Sequence, residues 1–303
     1  MMELKIVKIF LNIFFSLDES EIILKEYWNL QPKKKILKDW IPLSKLDWYW
    51  LSGNLNAIDL LEANQHEIFW EELSCNKNAI HLLKNNLEKI NWSLLSGNKN
   101  AIHLLEKNLD KIDWDNLCEN QNAIHLLEQN QDKIDWDNLC ENQNAIHLLE
   151  QNQDKIDWEF LSSNKNAINL LSANLDKIDW YWLSGNLNTI DLLEANQHKI
   201  FWEELSCNKN AIHLLEKNKD KIDWEELSNN KNAIQLLKEK IENEKKLSVN
   251  EYNKLKKFQK INWNFLSGNE GAIKLLEENI DKIDWKRLSK NPSIFIDEPM
   301  PIV

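Results

Sequence analysis

The chain has 303 residues, with 37 basic against 49 acidic side chains and a formal net charge of −12. That sign argues against a nucleic-acid reader, which would carry a basic stripe, and a single arginine, Arg287, leaves little for bidentate phosphate contacts. Five glycines offer no phosphate-cradling loop, and the four cysteines, Cys75, Cys118, Cys140 and Cys207, suit a reducing compartment better than a disulfide framework.

Residues 1–40 contain "LKIVKIFLNIFF", a mostly apolar helical stretch with Lys5, Lys8 and Asn12 as a thin polar stripe. A signal peptide is disfavoured, because Lys8 interrupts the apolar run and no small-residue cleavage site follows. A membrane span needs about twenty apolar residues. Interfacial membrane binding is the sharper remaining reading, and a helical cap on the first repeat is the one adopted.

From residue 41 the chain repeats. Residues 114–135 and 136–157 are the same 22-mer, "WDNLCENQNAIHLLEQNQDKID". With its tryptophan as marker, the unit recurs every 22 residues from Trp48 to Trp224, nine copies in all, over residues 41–237. Two further copies, at Trp263 and Trp285, occupy residues 261–291. The 36 residues from Trp48 return from Trp180 with only two changes, Ala57 to Thr189 and Glu67 to Lys199, so a block of six repeats is itself duplicated.

Counting the tryptophan as zero, the copies share Ile or Leu at −2, Leu at +3, Ser or Cys at +4, Asn at +6 and +8, Ala-Ile at +9 and +10, Leu-Leu at +12 and +13, and Asn at +16. In "NAIHLLEKN" (Asn100 to Asn108) the apolar residues fall in one helical arc, with His103, Glu106 and Lys107 opposite. The +8 asparagine is expected as the N-cap of this helix and the +16 asparagine as a left-handed stop. A second short helix is expected from the tryptophan, with Asp223 and Glu226 in capping-box spacing. One unit has too few core side chains to offset the entropy of ordering its backbone, so burial must come from stacked neighbours. The expected fold is an all-α solenoid of about eleven two-helix repeats, a superhelical rod on the order of 100 Å long at usual helix spacing.

Residues 238–260 are a charged insertion in which Ser248 and Glu251 form a capping box, so an extra helix and a projecting tip are expected. Residues 292–303 leave the pattern as a proline-broken tail.

Two ladders could carry chemistry. His81, His103, His125, His147 and His213 share position +11, where other repeats have Asp, Asn, Gln or Lys. Rungs about 10 Å apart cannot bring ligands to the roughly 2.1 Å that zinc requires, so these histidines are expected as a variable, solvated face, with no metal. The repeated carboxylates define no single asymmetric constellation, so neither a catalytic residue nor a cofactor is expected. The marker tryptophans read as core. Position +2 takes Glu, Asn and Arg in other repeats, so aromatic residues there are candidate anchors for a partner. This selects Tyr49 with Trp50, Phe160, and Tyr181 with Trp182.

"NxNAIxLLExN" followed by "DKIDWxxLSxN", with the opening "LKDWIPLSKLDWYWLSGN" (Leu37 to Asn54), resembles the tandem repeats of proteins that giant DNA viruses of the mimivirus type encode in many copies. The resemblance covers about residues 37 to 291. It departs at +7, where the family often has proline and this chain has it only at Pro292, and at the 17-residue insertion. It implies a viral origin, A+T-rich coding, and a place in the host cytoplasm, viral factory or virion; it supplies no activity.

The functional expectation is a non-enzymatic, monomeric scaffold or adaptor that binds a protein. Invariant positions build the fold, and positions +1, +2, +5, +7, +11 and +15 write its surface. The alternatives are a modular single-stranded nucleic-acid binder with +11 as its code, or a structural particle component.

Overall fold

The computed structural model describes residues 2–31 and 33–300, with backbone only for residues 2–5. Expectations on Lys5 and on the last three residues of the tail, 301–303, lie outside what is described. Two N-terminal helices, α1 (Met2–Phe14) and α2 (Leu17–Leu30), form a hairpin. A short strand, β1 (Lys35–Leu37), leads into the repeats.

The repeats build an all-α solenoid of short helices. Each layer has a helix opening on the tryptophan, as in Trp70–Cys75, and a helix opening on the +10 isoleucine, as in Ile80–Lys84. Most layers add a single 3₁₀ turn, as in Leu87–Lys89, so the layer is three-sided rather than a helix pair. The core is a continuous column of the expected residues: Leu at +3 and +13, Ala at +9 and Ile at −2 are buried in layer after layer.

Polar side chains set the distance between layers. The +6 asparagine amide donates to main-chain carbonyls of the preceding layer, as Asn76 does to Ser52 O and Asn54 O at 3.0 Å each. Its own Oδ1 accepts the +8 N–H, at 3.0 Å from Asn78. The +4 serine donates to the carbonyl of its own tryptophan and accepts the −1 N–H of the next layer, as Ser74 does with Trp70 O and Asn91 N. In most layers a lysine three residues before the next tryptophan lies over the preceding indole, as Lys89 over Trp70 at 4.5 Å and Lys155 over Trp136 at 4.2 Å.

Two turn assignments are corrected. The +8 asparagine is no N-cap: the second helix starts two residues later without a side-chain cap, and Asn78 Nδ2 instead donates to Leu55 O in the layer before. The +16 asparagine is not left-handed. No described non-glycine residue has positive φ, and Asn64 (φ −133°, ψ 51°) stops the helix by donating its amide to Leu60 O. Asp223 does cap its helix by accepting from Glu226 N, but its own N–H is taken by Ser206 Oγ, so no capping box closes.

The solenoid is not an open rod. It closes on itself. Asp47 N donates to Ser289 Oγ at 2.8 Å, Asn54 Nδ2 donates to Ser289 O and Asn291 O, and Asn56 Nδ2 donates to Pro292 O. These are the same bonds that join most other pairs of layers. Lys45 lies over Trp285 at 4.6 Å as the equivalent lysines do elsewhere. Layer 11 is therefore composite: its tryptophan helix (Trp285–Ser289) comes from the C-terminal side, and its third leg, with Leu43–Lys45 and buried Leu46, comes from the N-terminal side. Its remaining side is an antiparallel pair of β1 with β2 (Phe295–Asp297), in the register Lys35↔Asp297, Ile36↔Ile296, Leu37↔Phe295. The tail expected as coil is thus a 3₁₀ turn (Pro292–Ile294) and a strand. Likewise, layer 11 rather than the N-terminal hairpin covers the first repeat. Closing a circle with eleven layers takes about 33° of turn per layer.

The insertion does not interrupt the stack. The helix Ile234–Lys246 carries the second helix of layer 9 onward, and Ser248 and Glu251 cap Val249–Lys254 with the expected box. Lys240 lies over Trp224, Ile241 is buried, and Glu244 accepts Ile261 N at 3.0 Å. The insertion thereby replaces the third leg of its layer, and Asn262 N still reaches Ser228 Oγ.

Candidate partner-binding site

Successive tryptophan helices lie against one another round the ring, save between layers 9 and 10, where the insertion's Lys257–Gln259 turn packs on Trp224–Leu227, whereas the isoleucine helices stand further apart. The tryptophan helices therefore line the inside and the isoleucine helices the outside. All the tryptophan helices run the same way, so their N-termini share one rim. Aspartate or asparagine at −1 caps most of them, as Asp113 does by accepting from Asn116 N. Acids in the first turn, among them Glu71, Glu72, Asp115, Asp137, Glu203 and Glu204, make that rim negative and suit the helix dipole. On the concave side, Lys77, Lys99, Gln121, Gln143 and Lys165, the +7 residues of five successive layers, share one polar hollow.

Two layers break the capping rule. Phe69 and Phe201 occupy the −1 slot, accept no N–H, and leave their helices without a side-chain cap. Both are exposed, at 47% and 49%. Each meets the +1 tyrosine of the preceding layer edge-on: Tyr49 to Phe69 and Tyr181 to Phe201, with centroids 5.6 Å apart in both pairs. The same tyrosines pack edge-on against Trp50 and Trp182, at 5.3 and 5.4 Å. Two aromatic triads result. Six layers separate them one way round and five the other, so they stand on nearly opposite sides of the opening.

The triads differ because their neighbours differ. Trp182 is 39% exposed, and its Nε1 donates to Glu159 Oε1 in the layer before at 3.1 Å. For Trp50 the layer before is layer 11, where the matching residue is Lys286, itself a donor. Among the described residues Trp50 Nε1 is buried without a hydrogen-bond partner, and Lys290 and Lys286 lie over its ring at 4.9 and 6.0 Å. Trp50, expected to be an exposed anchor, is thus a partly buried residue of the ring's seam. Phe160 is also partly buried against the core. Of the five aromatic candidates, Trp182 is the exposed one. Phe69 and Phe201 were not among them, although comparing the −1 slot across the repeats would have found both.

Carboxylates hold the tyrosines in place. Glu204 hydrogen-bonds the Tyr181 hydroxyl and pushes its pKa up to about 12, and Glu72 raises that of Tyr49 in the same way. Next to the open triad, burial raises Glu226, which lies 3.3 Å from Cys207 Sγ.

The histidine ladder lies on the outer wall. His81, His125, His147 and His213 each place Nε2 within 2.7 to 3.0 Å of the +14 glutamate of the preceding layer: Glu62, Glu106, Glu128 and Glu194. His103 finds Lys84 at that place and turns to Glu106 of its own layer, at 3.2 Å. Glu106, between two histidines, is lowered by both. Among the described residues no group of His, Cys, Asp or Glu gathers as metal ligands would. No protein-family model matches the chain, and neither does any curated protein or solved structure.

Proposed function

We propose that the chain is a non-enzymatic ring scaffold that holds a protein partner at the Tyr181–Trp182–Phe201 triad. The observation that carries this reading is the exposed phenylalanine in a capping slot. A missing cap costs about 1 kcal/mol, and an exposed ring gains nothing from the core in return, so the local rule is broken where a partner would profit. Exposed aromatics are also the usual anchors of interfaces. The negative rim beside the triad favours a partner segment that sets an apolar or aromatic residue next to lysines or arginines.

The test is Phe201→Asp. It restores the capping residue of the other layers and removes the ring. Peptides selected from a displayed random library on the wild-type protein are expected to be basic and aromatic. They should lose at least tenfold in affinity for both Phe201→Asp and Trp182→Ser, while Phe201→Asp melts no lower than wild type. Selected peptides that bind both variants unchanged would refute the site. The nucleic-acid alternative has less support, because the histidines proposed as its code are engaged with glutamates on the outer wall.

A further inference from the structure

We propose that α1 pairs with α1 of a second copy of the chain, joining two rings through one isologous apolar contact. Ile6, Ile9, Phe10, Ile13 and Phe14 are each 61 to 68% exposed. Their spacing puts them in one stripe along the helix, where the rings of Phe10 and Phe14 lie 5.2 Å apart. The stripe is not the face that holds the hairpin together, since α1 packs on α2, where Leu24 is 1% exposed. Monomeric proteins seldom leave a contiguous apolar patch of more than a few hundred Å² in water. Five side chains at this exposure present on the order of 600 Å², so two copies would bury roughly 1,200 Å², where specific interfaces begin.

A second copy fits better than a lipid surface. A helix that lies in a membrane interface carries Lys and Arg around its apolar face. Here α1 carries Lys5 and Lys8 with Glu3, and α2 adds Asp18, Glu19, Glu21 and Glu26 against Lys25, so the two helices hold five acids against three lysines, on a chain of net charge −12. Among the described residues no helix is long and apolar enough to cross a membrane. The stripe is also self-complementary. Turned end for end about Phe10, it sets Ile6 opposite Phe14 and Phe10 opposite itself, as a two-fold axis requires. Pairing would present the open triad twice, but it stands independently of any partner at that site.

Sedimentation velocity of the full chain decides it. The wild type is expected at twice 36.0 kDa at micromolar concentration, and Phe10→Asp at the monomer mass with an unchanged melting temperature. Phe10→Cys should give a disulfide-linked dimer on oxidation, because the two-fold places the paired Cα atoms within about 7 Å. A wild type that stays monomeric overturns the proposal, whether or not it co-sediments with phosphatidylcholine vesicles. So does a Phe10→Asp variant that still forms dimers.

Discussion

At the scale of the residue, the fold rests on asparagine used as a spacer. Asn142 is 1% exposed, donates to Cys118 O at 2.6 Å and Asn120 O at 3.3 Å, and accepts Asn144 N at 3.0 Å. Asn142→Ala strands all three groups in the interior and should cost about 2–4 kcal/mol in urea unfolding. Asn144→Ala loses one exposed bond, to Gln121 O, and should cost about 1 kcal/mol or less. Equal losses would refute the ladder as the source of stability. The two cysteines in the +4 serine slot add a pH dependence. Burial raises the Cys118 and Cys140 thiols from 9.0 to about 11. Between those values the unfolded chain gives up protons that the folded chain keeps. The contribution is therefore whole below pH 9 and drains away as the pH rises toward 11. The wild type should lose more stability between pH 8.5 and 10.5 than Cys118→Ser with Cys140→Ser, which restores the residue of the other layers. Parallel losses would place the effect elsewhere.

At the scale of the element, the clasp of β1 with β2 lies at the break where the ring is not joined by chain connectivity. Its ion pair, Lys35 to Asp297 at 2.8 Å, is half in water and worth little. The apolar residues do more: Ile294 is fully buried and Phe295 nearly so. Phe295→Ala should cost about 3–5 kcal/mol of local stability. Hydrogen exchange should then rise over residues 35–47 and 285–297 while the middle layers stay protected; a uniform rise would show that closure and the rest of the ring form one unit. The helices were legible in the sequence because leucine, alanine and isoleucine repeat at helical spacing. The asparagine roles were not, because the amides of Asn76 and Asn78 bond to another layer, and a single unit contains no trace of its neighbour. The site was half legible. Trp182 stood out by residue type, whereas Phe201 counts only once its slot is known to be a cap. Trp50 misled because its surroundings come from layer 11, more than 230 residues away in sequence.

At the scale of the whole molecule, closure replaces the two exposed ends that an open solenoid must cap. The sequence held one sign of it. "SKLDW" at residues 44–48 carries the lysine, the apolar residue and the aspartate of the "DKIDW" return segment, so a third leg precedes the first tryptophan with no helix of its own to complete. A ring should scatter X-rays with a radius of gyration slightly above the about 19 Å of a compact chain this long, where a rod of eleven layers would approach about 30 Å at usual helix spacing. The number of layers can be tested without altering a single local contact. Residues 136–157 duplicate residues 114–135, so deleting them joins Asp135 to Trp158 through the same Asp-Trp step that Asp157 makes with Trp158. Ten layers must each turn about 36° to close instead of about 33°. The layer spacing is held by amide bonds near 3 Å that tolerate little extra wedge. The strain can leave only at the interface that no peptide bond crosses, so the deletion should part the C-terminal half of layer 11 (residues 285–297) from its N-terminal half and from layer 1. The radius of gyration should rise, and residues 35–47 should exchange freely in an otherwise folded protein. If the ten-layer chain closes as tightly as the natural one, curvature is set by closure rather than by the layers, and eleven is only the count this chain happens to have.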